Sequence, residues 1–350
     1  MKSTSKSVLT VKELTHNNSL YHYVKICRNN FNDIEWDEYI DYERKMYLDA
    51  NQKENDTTRE IYIQMLTDKV SDYEQNRFLL LDSSGKIVAR SFIWYFKKTS
   101  DMYENFALEA DMFLDVLPDH RQKGLGSLVM RELLAFAQSI NKDKLQSSFS
   151  TDAAKAFMEK FNFKIASERF LSELKVEDID ISKMKQWASG PKKIEIYQTI
   201  PEDIVTEYCK LYTACGLMAP DYEGDFTATE QLTPHGLRMR EQEFMEKGII
   251  LFSAISVEED GTLSGMTELD YGEGYFKQVD QGLTGVLPNY RGQGVGKQLK
   301  AALLLYVLDK NPKAEVIHTA NNVKNYAMLS INEEMGFNKT KPHYLVTKTL

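Results

Sequence analysis

Val286-Leu287-Pro288-Asn289-Tyr290-Arg291-Gly292-Gln293-Gly294-Val295-Gly296 restates Val116-Leu117-Pro118-Asp119-His120-Arg121-Gln122-Lys123-Gly124-Leu125-Gly126. The two arginines lie 291 − 121 = 170 positions apart, which divides the 350 residues into two halves of ordinary domain size. In each copy an apolar, strand-like run ends at a proline, a short loop supplies arginine and two glycines, and a leucine-rich helical pattern follows. A helix start leaves several backbone N–H groups without partners, and the aligned peptide dipoles add partial positive charge there. Glycine lets a ligand approach that backbone closely, so the layout is that of an anion site.

Two common phosphate loops are excluded by counting. A Walker loop needs glycine five places before its Gly-Lys pair, but that place holds Arg291, and Gln298 stands where serine or threonine belongs. A dinucleotide fingerprint needs a third glycine three residues after the second, where this chain has Lys297 and Val129 instead.

The surrounding pattern repeats in register. The first half opens with a strand-like Val8-Leu9-Thr10-Val11 and a polar, helix-favouring region from about residue 19 to residue 70. A hairpin around Ser83-Ser84-Gly85, a third strand entering the glycine loop, and then helix, strand, helix and strand complete the unit. The pattern breaks at Ala188-Ser189-Gly190-Pro191-Lys192, read as a linker, and restarts at Ile194-Glu195-Ile196-Tyr197. The expected fold class is α/β of the mixed α+β kind: two tandem domains, 1–187 and 193–350, each a mostly antiparallel sheet flanked by helices.

Composition narrows the function. Lysine and arginine total 43 against 52 acids, a net charge of −9, which argues against a broad nucleic-acid surface and mildly favours a cationic small substrate. Three scattered cysteines, Cys27, Cys209 and Cys215, make neither a disulfide framework nor a zinc site, so no metal is expected. The longest apolar stretch, residues 299–308, contains a lysine and is too short to span a bilayer. With no signal-peptide core after Met1, these features lead to the expectation of a cytoplasmic protein without a membrane partner.

Val-x-Pro-x-x-Arg-x-x-Gly-x-Gly after a strand, then helix, strand, helix and Gly-Phe, resembles the acyl-coenzyme A site of the GNAT N-acetyltransferases. The second copy adds Thr319, Asn321, Asn325, Met328, Asn332 and Gly336-Phe337. The tandem arrangement is similar to the mycothiol synthase-like two-domain acetyltransferases, in which the C-terminal domain is the active one. The resemblance implies acetyl-coenzyme A as cosubstrate and a small-molecule amine as acceptor.

It further implies that the backbone of Thr284, Gly285 and Val286 pairs with the pantetheine arm. Arg291, Gly292, Gln293, Gly294, Val295, Gly296 and Lys297 would wrap the pyrophosphate, with Asn325 holding pantetheine or thioester from the other side. The matching first-half positions are Leu114, Asp115 and Val116, with Arg121, Gln122, Lys123, Gly124, Leu125, Gly126 and Ser127; Thr151 stands in place of Asn325.

Acyl transfer to an amine needs a base for the amine and a proton for the departing thiolate. Glu268 and Asp270, two apart on one strand and so on one face, are the candidate bases, with Asp280 behind them. The tyrosine that many family members use as acid is replaced by Asn332 and by Met158, which leaves Tyr326 or Tyr344, or water, to supply the proton. In the first half Asn162-Phe163 replaces Gly-Phe. That half is expected either to bind coenzyme A without turnover or to act only as a wall of the acceptor site. Two other readings stay open: a non-catalytic acyl-coenzyme A sensor or scaffold, and a transferase drawing aminoacyl groups from tRNA.

Overall fold

The computed structural model describes residues 11–26, 36–51, 57–67, 73–100, 103–220, 232–272 and 276–350. They form two compact units, one of Met1–Ser148 with Thr347–Leu350 and one of Phe149–Val346.

The first unit carries strands β1 (Val11–His16), β2 (Ser19–Ile26), β3 (Tyr73–Leu81), β4 (Ile87–Phe96), β5 (Glu109–Val116) and β6 (Lys144–Phe149). Its helices are α1 (Trp36–Asn51), α2 (Arg59–Thr67), α3 (Tyr103–Phe106) and α4 (Leu125–Ser139). The strands lie side by side in sequence order, antiparallel except for the parallel pair β5–β6.

Most of the opening strand read at residues 8–11, and Cys27, lie outside the described residues. Residues 19–26, read as the start of a helical region, are strand β2. Asn17 and Asn18 both adopt positive φ, at 49° and 61°, and so close a tight hairpin with β1. Asparagine tolerates that conformation, and the Asn-Asn pair was the overlooked turn signal.

The second unit begins with α5 (Asp152–Lys160), β7 (Lys164–Lys175), α6 (Ile181–Ala188) and β8 (Lys193–Tyr197). It continues through α7 (Val205–Leu217), α8 (Pro234–Glu246), β9 (Ile249–Val257), β10 (Leu263–Gly272) and β11 (Gln278–Val286), and ends with α9 (Val295–Lys310), β12 (Val316–Asn322), α10 (Tyr326–Met335) and β13 (Asn338–Thr349). Its sheet runs β7–β12–β11–β10–β9–β8, again with one parallel pair, β11–β12.

Leu269, Tyr271, Val279 and Ile317 on one face pack against Leu299, Leu303 and Val307 of α9. Met266 and Ile255, on the other face, meet Tyr208, Leu211 and Cys215 of α7. Alternation along β10 therefore divides its side chains between two apolar layers.

The repeat in sequence and the compact units in space do not share a boundary. β7, the last strand of the first repeat, pairs along its length with β12 of the second unit, from Val316↔Lys175 to Asn322↔Arg169. Conversely, the chain's last residues count with the first unit, where the Leu350 N–H bonds the Asp143 carbonyl at 2.7 Å.

Residues 188–192, read as the linker, are held in the second unit by one buried amide. Gln298 Nε2 donates to the Gly190 and Lys192 carbonyls at 2.9 and 2.8 Å, and its Oε1 accepts from the Lys192 N–H at 3.2 Å. Composition marks where a repeat begins; strand pairing, a non-local matter, decides which unit a strand joins.

Candidate active site

The second unit opens a wedge in its own sheet. β11 and β12 pair only at Gln278–Asp280 with Val316–His318 and then part. On its other side β11 carries a bulge: Thr267 faces Thr284 but Leu269 faces Gln281, so Gly282 and Leu283 together oppose Glu268. The Gln281 side chain stitches the irregular stretch, its Nε2 donating to the Glu268 carbonyl at 2.5 Å and to Thr267 Oγ1 at 3.0 Å.

Two cavities of the second unit meet at this wedge. The larger, about 650 Å³, is lined by the glycine loop, the backbone stretch 284–286 and the start of α10. The smaller, about 360 Å³, lies against the parted strands, with Gln281, Thr319 and Asn321 in its wall. Ala219, Thr284, Asn325 and Met328 line both, so the two adjoin there.

The loop has the conformation its glycines permit. Gly292 and Gly294 sit at φ 74° and 80°, and no atom lies within 4 Å of where either Cβ would stand. Gly294 caps α9, leaving the N–H groups of the first turn facing the larger cavity. Arg291 Nε donates to the Val286 carbonyl at 2.9 Å and an Nη2 hydrogen points at Met218 Sδ; among the described residues it has no carboxylate partner.

Lys297, expected to add charge for a pyrophosphate, lines the cavity but is paired with Glu334 at 2.6 Å. Gly285 has a different reason to be glycine: a Cβ there would come within 2.4 Å of Cys215 Cβ on α7. Burial pushes the Cys215 thiol up to about 12, so it is an inert packing group.

The same loop in the first unit is closed. Gln122, in place of Gly292, takes φ 58° with a side chain to carry. The His16 ring lies directly over Gly124, where an added Cβ would be 2.5 Å from Nε2, and that nitrogen contacts the Lys123 carbonyl at 2.7 Å. Arg121 repeats the bond to the strand end, Val116 O at 3.0 Å, but also pairs with Asp49 at 2.6 Å. β5 pairs β4 without a bulge, every pair from Ala89↔Val116 to Trp94↔Asp111 being in register.

Asp115 is buried in a network with Arg90 and Tyr42, and burial raises its pKa. The cavity beside this loop, about 670 Å³, has Glu38, Asp41, Asp49, Asp82 and Asp119 in its wall against Lys45, Lys86 and His120. That excess of acid opposes a phosphate.

Of the candidate bases, Glu268 is fully engaged. It is 2% exposed and accepts from both Arg240 Nη atoms at 3.1 and 2.8 Å and from the Tyr208 hydroxyl at 2.9 Å. Asp270 shares its strand face but has Asp280 directly across on β11. Burial, then the charges of Asp280 and Glu268, push the Asp270 carboxyl up to about 7, with Arg240 opposing. Neither carboxylate lines either cavity.

The sign of the linkage is definite: between roughly pH 4, the ordinary aspartate value, and pH 7 the folded chain holds a proton that the unfolded chain releases. Stability therefore falls as pH rises through that window. Asp270→Asn is expected to raise Tm by several degrees at pH 8 and to change it little at pH 4, as read by calorimetry at the two values. Equal shifts at both would show that the carboxyl is not what costs stability.

Tyr326 is 76% exposed at the rim of the larger cavity, whereas Tyr344 is buried against Phe149 at 5.3 Å between ring centres. Asn325 caps α10, its Oδ1 accepting from the Met328 N–H at 3.3 Å, and Thr151 does the same for α5. Asn332 is 2% exposed and donates to Asn321 Oδ1 at 2.6 Å. Gly336 ends α10 at φ 102°, and Asn162 ends α5 at φ 60°, so the first repeat's departure from Gly-Phe keeps the same left-handed turn.

Three residues were not singled out from the sequence for the site: Arg169, Gln281 and Lys300. Lys300 had a visible signal as the lysine within the apolar run 299–308. Arg169, which comes from β7, had none. Among the described residues there is no group of three or more His, Cys, Asp or Glu placed to hold a metal, and no helix long and apolar enough to cross a membrane.

Comparison with known proteins agrees with this architecture. Residues 74–165, within the first repeat, match the acetyltransferase (GNAT) domain family. Among solved structures, the chain is similar to a tandem GNAT protein from the clavulanic acid biosynthesis pathway, at TM-score 0.73 and 18% identity, covering 94% of this chain and 98% of that one. It is also similar to a GCN5-related N-acetyltransferase from Sphaerobacter thermophilus, at TM-score 0.65 and 12% identity, covering 93% and 95%. A third similarity, at TM-score 0.62 and 16% identity, is to a fungal multi-domain GH3 β-N-acetylglucosaminidase with a glucosamine N-acetyltransferase region, covering 94% of this chain but 38% of that one. A search of curated protein sequences finds no match. The fold is that of a tandem GNAT acetyltransferase, with its mixed, mostly antiparallel sheet and flanking helices.

Proposed function

We propose that this chain, a tandem GNAT protein by fold, is an acetyl-coenzyme A-dependent N-acetyltransferase whose second unit binds the coenzyme and carries the reaction. The observation that supports this most is the open glycine loop of the second unit, whose cavity adjoins the one at the wedge between β11 and β12. Its residues fit a nucleotide diphosphate: space at Gly292 and Gly294, a helix N-terminus behind them, and Arg291 with no carboxylate partner among the described residues. Asn325 lines both cavities and would meet the thioester end of the coenzyme where the two adjoin.

The coenzyme supplies an activated thioester. The chain must then orient an amine, remove its proton and stabilise charge at the thioester oxygen. Asp270 lines neither cavity, so it is assigned the proton by way of intervening water: its carboxyl takes one up near neutral pH while Glu268 is committed to Arg240. The first unit is assigned no coenzyme: His16 covers its loop, and Asp49 neutralises Arg121.

The test follows free thiol while acetyl-coenzyme A is mixed with a panel of primary amines. Thiol release that depends on an amine is expected, with an acidic limb near pH 7 that Asp270→Asn removes. Tight coenzyme binding with no release for any amine would overturn the catalytic reading in favour of a sensor.

A further inference from the structure

The smaller cavity of the second unit has a charge pattern that acetyl transfer alone does not require. Lys300 and Arg169 are in its wall with threonine, asparagine, glutamine and tyrosine, and among the described residues no carboxylate lines it. In a chain of net charge −9 this is a local reversal of sign.

Lys300 is the unusual member. It is 1% exposed, and among the described residues its ammonium has no hydrogen-bond or ion-pair partner; Nζ lies 5.6 Å from the centre of the Phe337 ring. Burying a cation without a counter-ion is costly, and burial alone draws this lysine down to about 7. Lys300 and Arg169 both line this cavity, and a negative charge brought by its occupant would offset the cost of the buried lysine's charge.

We propose that Lys300, with Arg169, makes this cavity a receptor for a carboxylate on the acceptor, so that the transferase acts on carboxylate-bearing amines. The inference rests on the reading of the second unit as the transferase, because that reading puts the acceptor at the wedge. A volume of about 360 Å³ equals roughly twelve waters at ~30 Å³ each, which suits a small metabolite. The bound carboxylate gives Lys300 a counter-ion that none of the described residues provides, and hydroxyl and amide donors around it satisfy the remaining lone pairs. The amine is left to point toward Thr284 and Asn325, where the two cavities join.

The experiment uses the full chain saturated with coenzyme A and titrates matched probes by calorimetry: β-alanine, γ-aminobutyrate and glutamate, each against its carboxamide, with phosphoethanolamine as a further arm. In the wild type, the carboxylate of at least one pair is expected to bind tenfold or more tighter than its amide. In Lys300→Met and Lys300→Gln that ratio is expected to fall to near one while coenzyme A binding is retained. Lys300→Met should also raise Tm, since it removes an unpaired buried cation.

No carboxylate preference in any pair, a preference that survives both substitutions, or one confined to phosphoethanolamine would overturn the proposal. Thiol release with simple amines, measured alongside, keeps its failure distinct from that of the transferase reading. Release without carboxylate preference sinks only this inference, whereas carboxylate preference without release sinks the transferase and with it the acceptor role, leaving a carboxylate-binding site.

Discussion

Gly294→Val is expected to lower kcat/KM for acetyl-coenzyme A by at least about a hundredfold, or ~2.7 kcal/mol of transition-state stabilisation, whereas Arg121→Ala changes it by no more than about twofold. Gly294 holds φ 80° as the residue that starts α9, and a Cβ in that conformation costs roughly 1–2 kcal/mol. Branching at Cβ makes it worse, and the two methyls would occupy the space that is empty around Gly294 and that the proposal gives to the diphosphate. The chain has either to carry the strain with its anion site filled or to move the first turn of α9 and lose the alignment of its N–H groups.

Arg121 supplies the contrast because its motif position is the same and its surroundings are not. Its guanidinium is already paired with Asp49, an exposed contact worth about 0–1 kcal/mol, and His16 lies on the neighbouring glycine. Steady-state kinetics on both variants, with Tm recorded to show that each is folded, checks the assignment. The reverse result, turnover surviving Gly294→Val but lost in Arg121→Ala, would transfer catalysis to the first unit.

The second large effect falls on stability. Arg240→Leu is expected to destabilise the chain by about 3–5 kcal/mol, because it leaves Glu268 ionised and buried without its counter-ion. Glu268 is 2% exposed, with both carboxylate oxygens bonded to Arg240, and its other partners, Tyr208 and Ser253, are neutral hydroxyls. Arg240 in turn lies over the Tyr212 and Phe244 rings, each at 5.3 Å, so packing is lost as well as charge.

Denaturant unfolding of Arg240→Leu, Glu268→Gln and the double variant separates the contributions. Most of the loss should be recovered in the double variant, which buries no lone charge. A double variant as unstable as Arg240→Leu would mean that the guanidinium acts through packing alone.

The Glu268 result illustrates how far sequence reasoning reached. Alternation correctly placed 268 and 270 on one face of a strand, and that is all alternation can say. It could not anticipate that Arg240, 28 residues away on a separate helix, closes on one carboxylate, while the other meets Asp280 across the strand pair. The glycine loop was readable because its physics is local: positive φ, a helix start and an arginine reaching back five residues to the strand end. Asn162 shows the converse. As a letter it departs from glycine; as a backbone conformation it does not.

The sequence by itself determined the doubled fold, the two loops and the elements around them, because hydrophobic period, turn residues and helix starts act over a few residues. The sequence marks part of what distinguishes the copies, Gln122 for Gly292, Thr151 for Asn325 and Asn162 for Gly336, and the tertiary structure decided the rest. His16 reaches Gly124 from 108 positions away in sequence, Asp49 reaches Arg121, and a bulge present in β11 is missing from β5. Each is a contact or register between distant segments, and a motif whose arginine and two glycines recur in both halves carries no trace of it. The same holds for β7, which leaves the repeat it belongs to and brings Arg169 to the cavity that Lys300 lines.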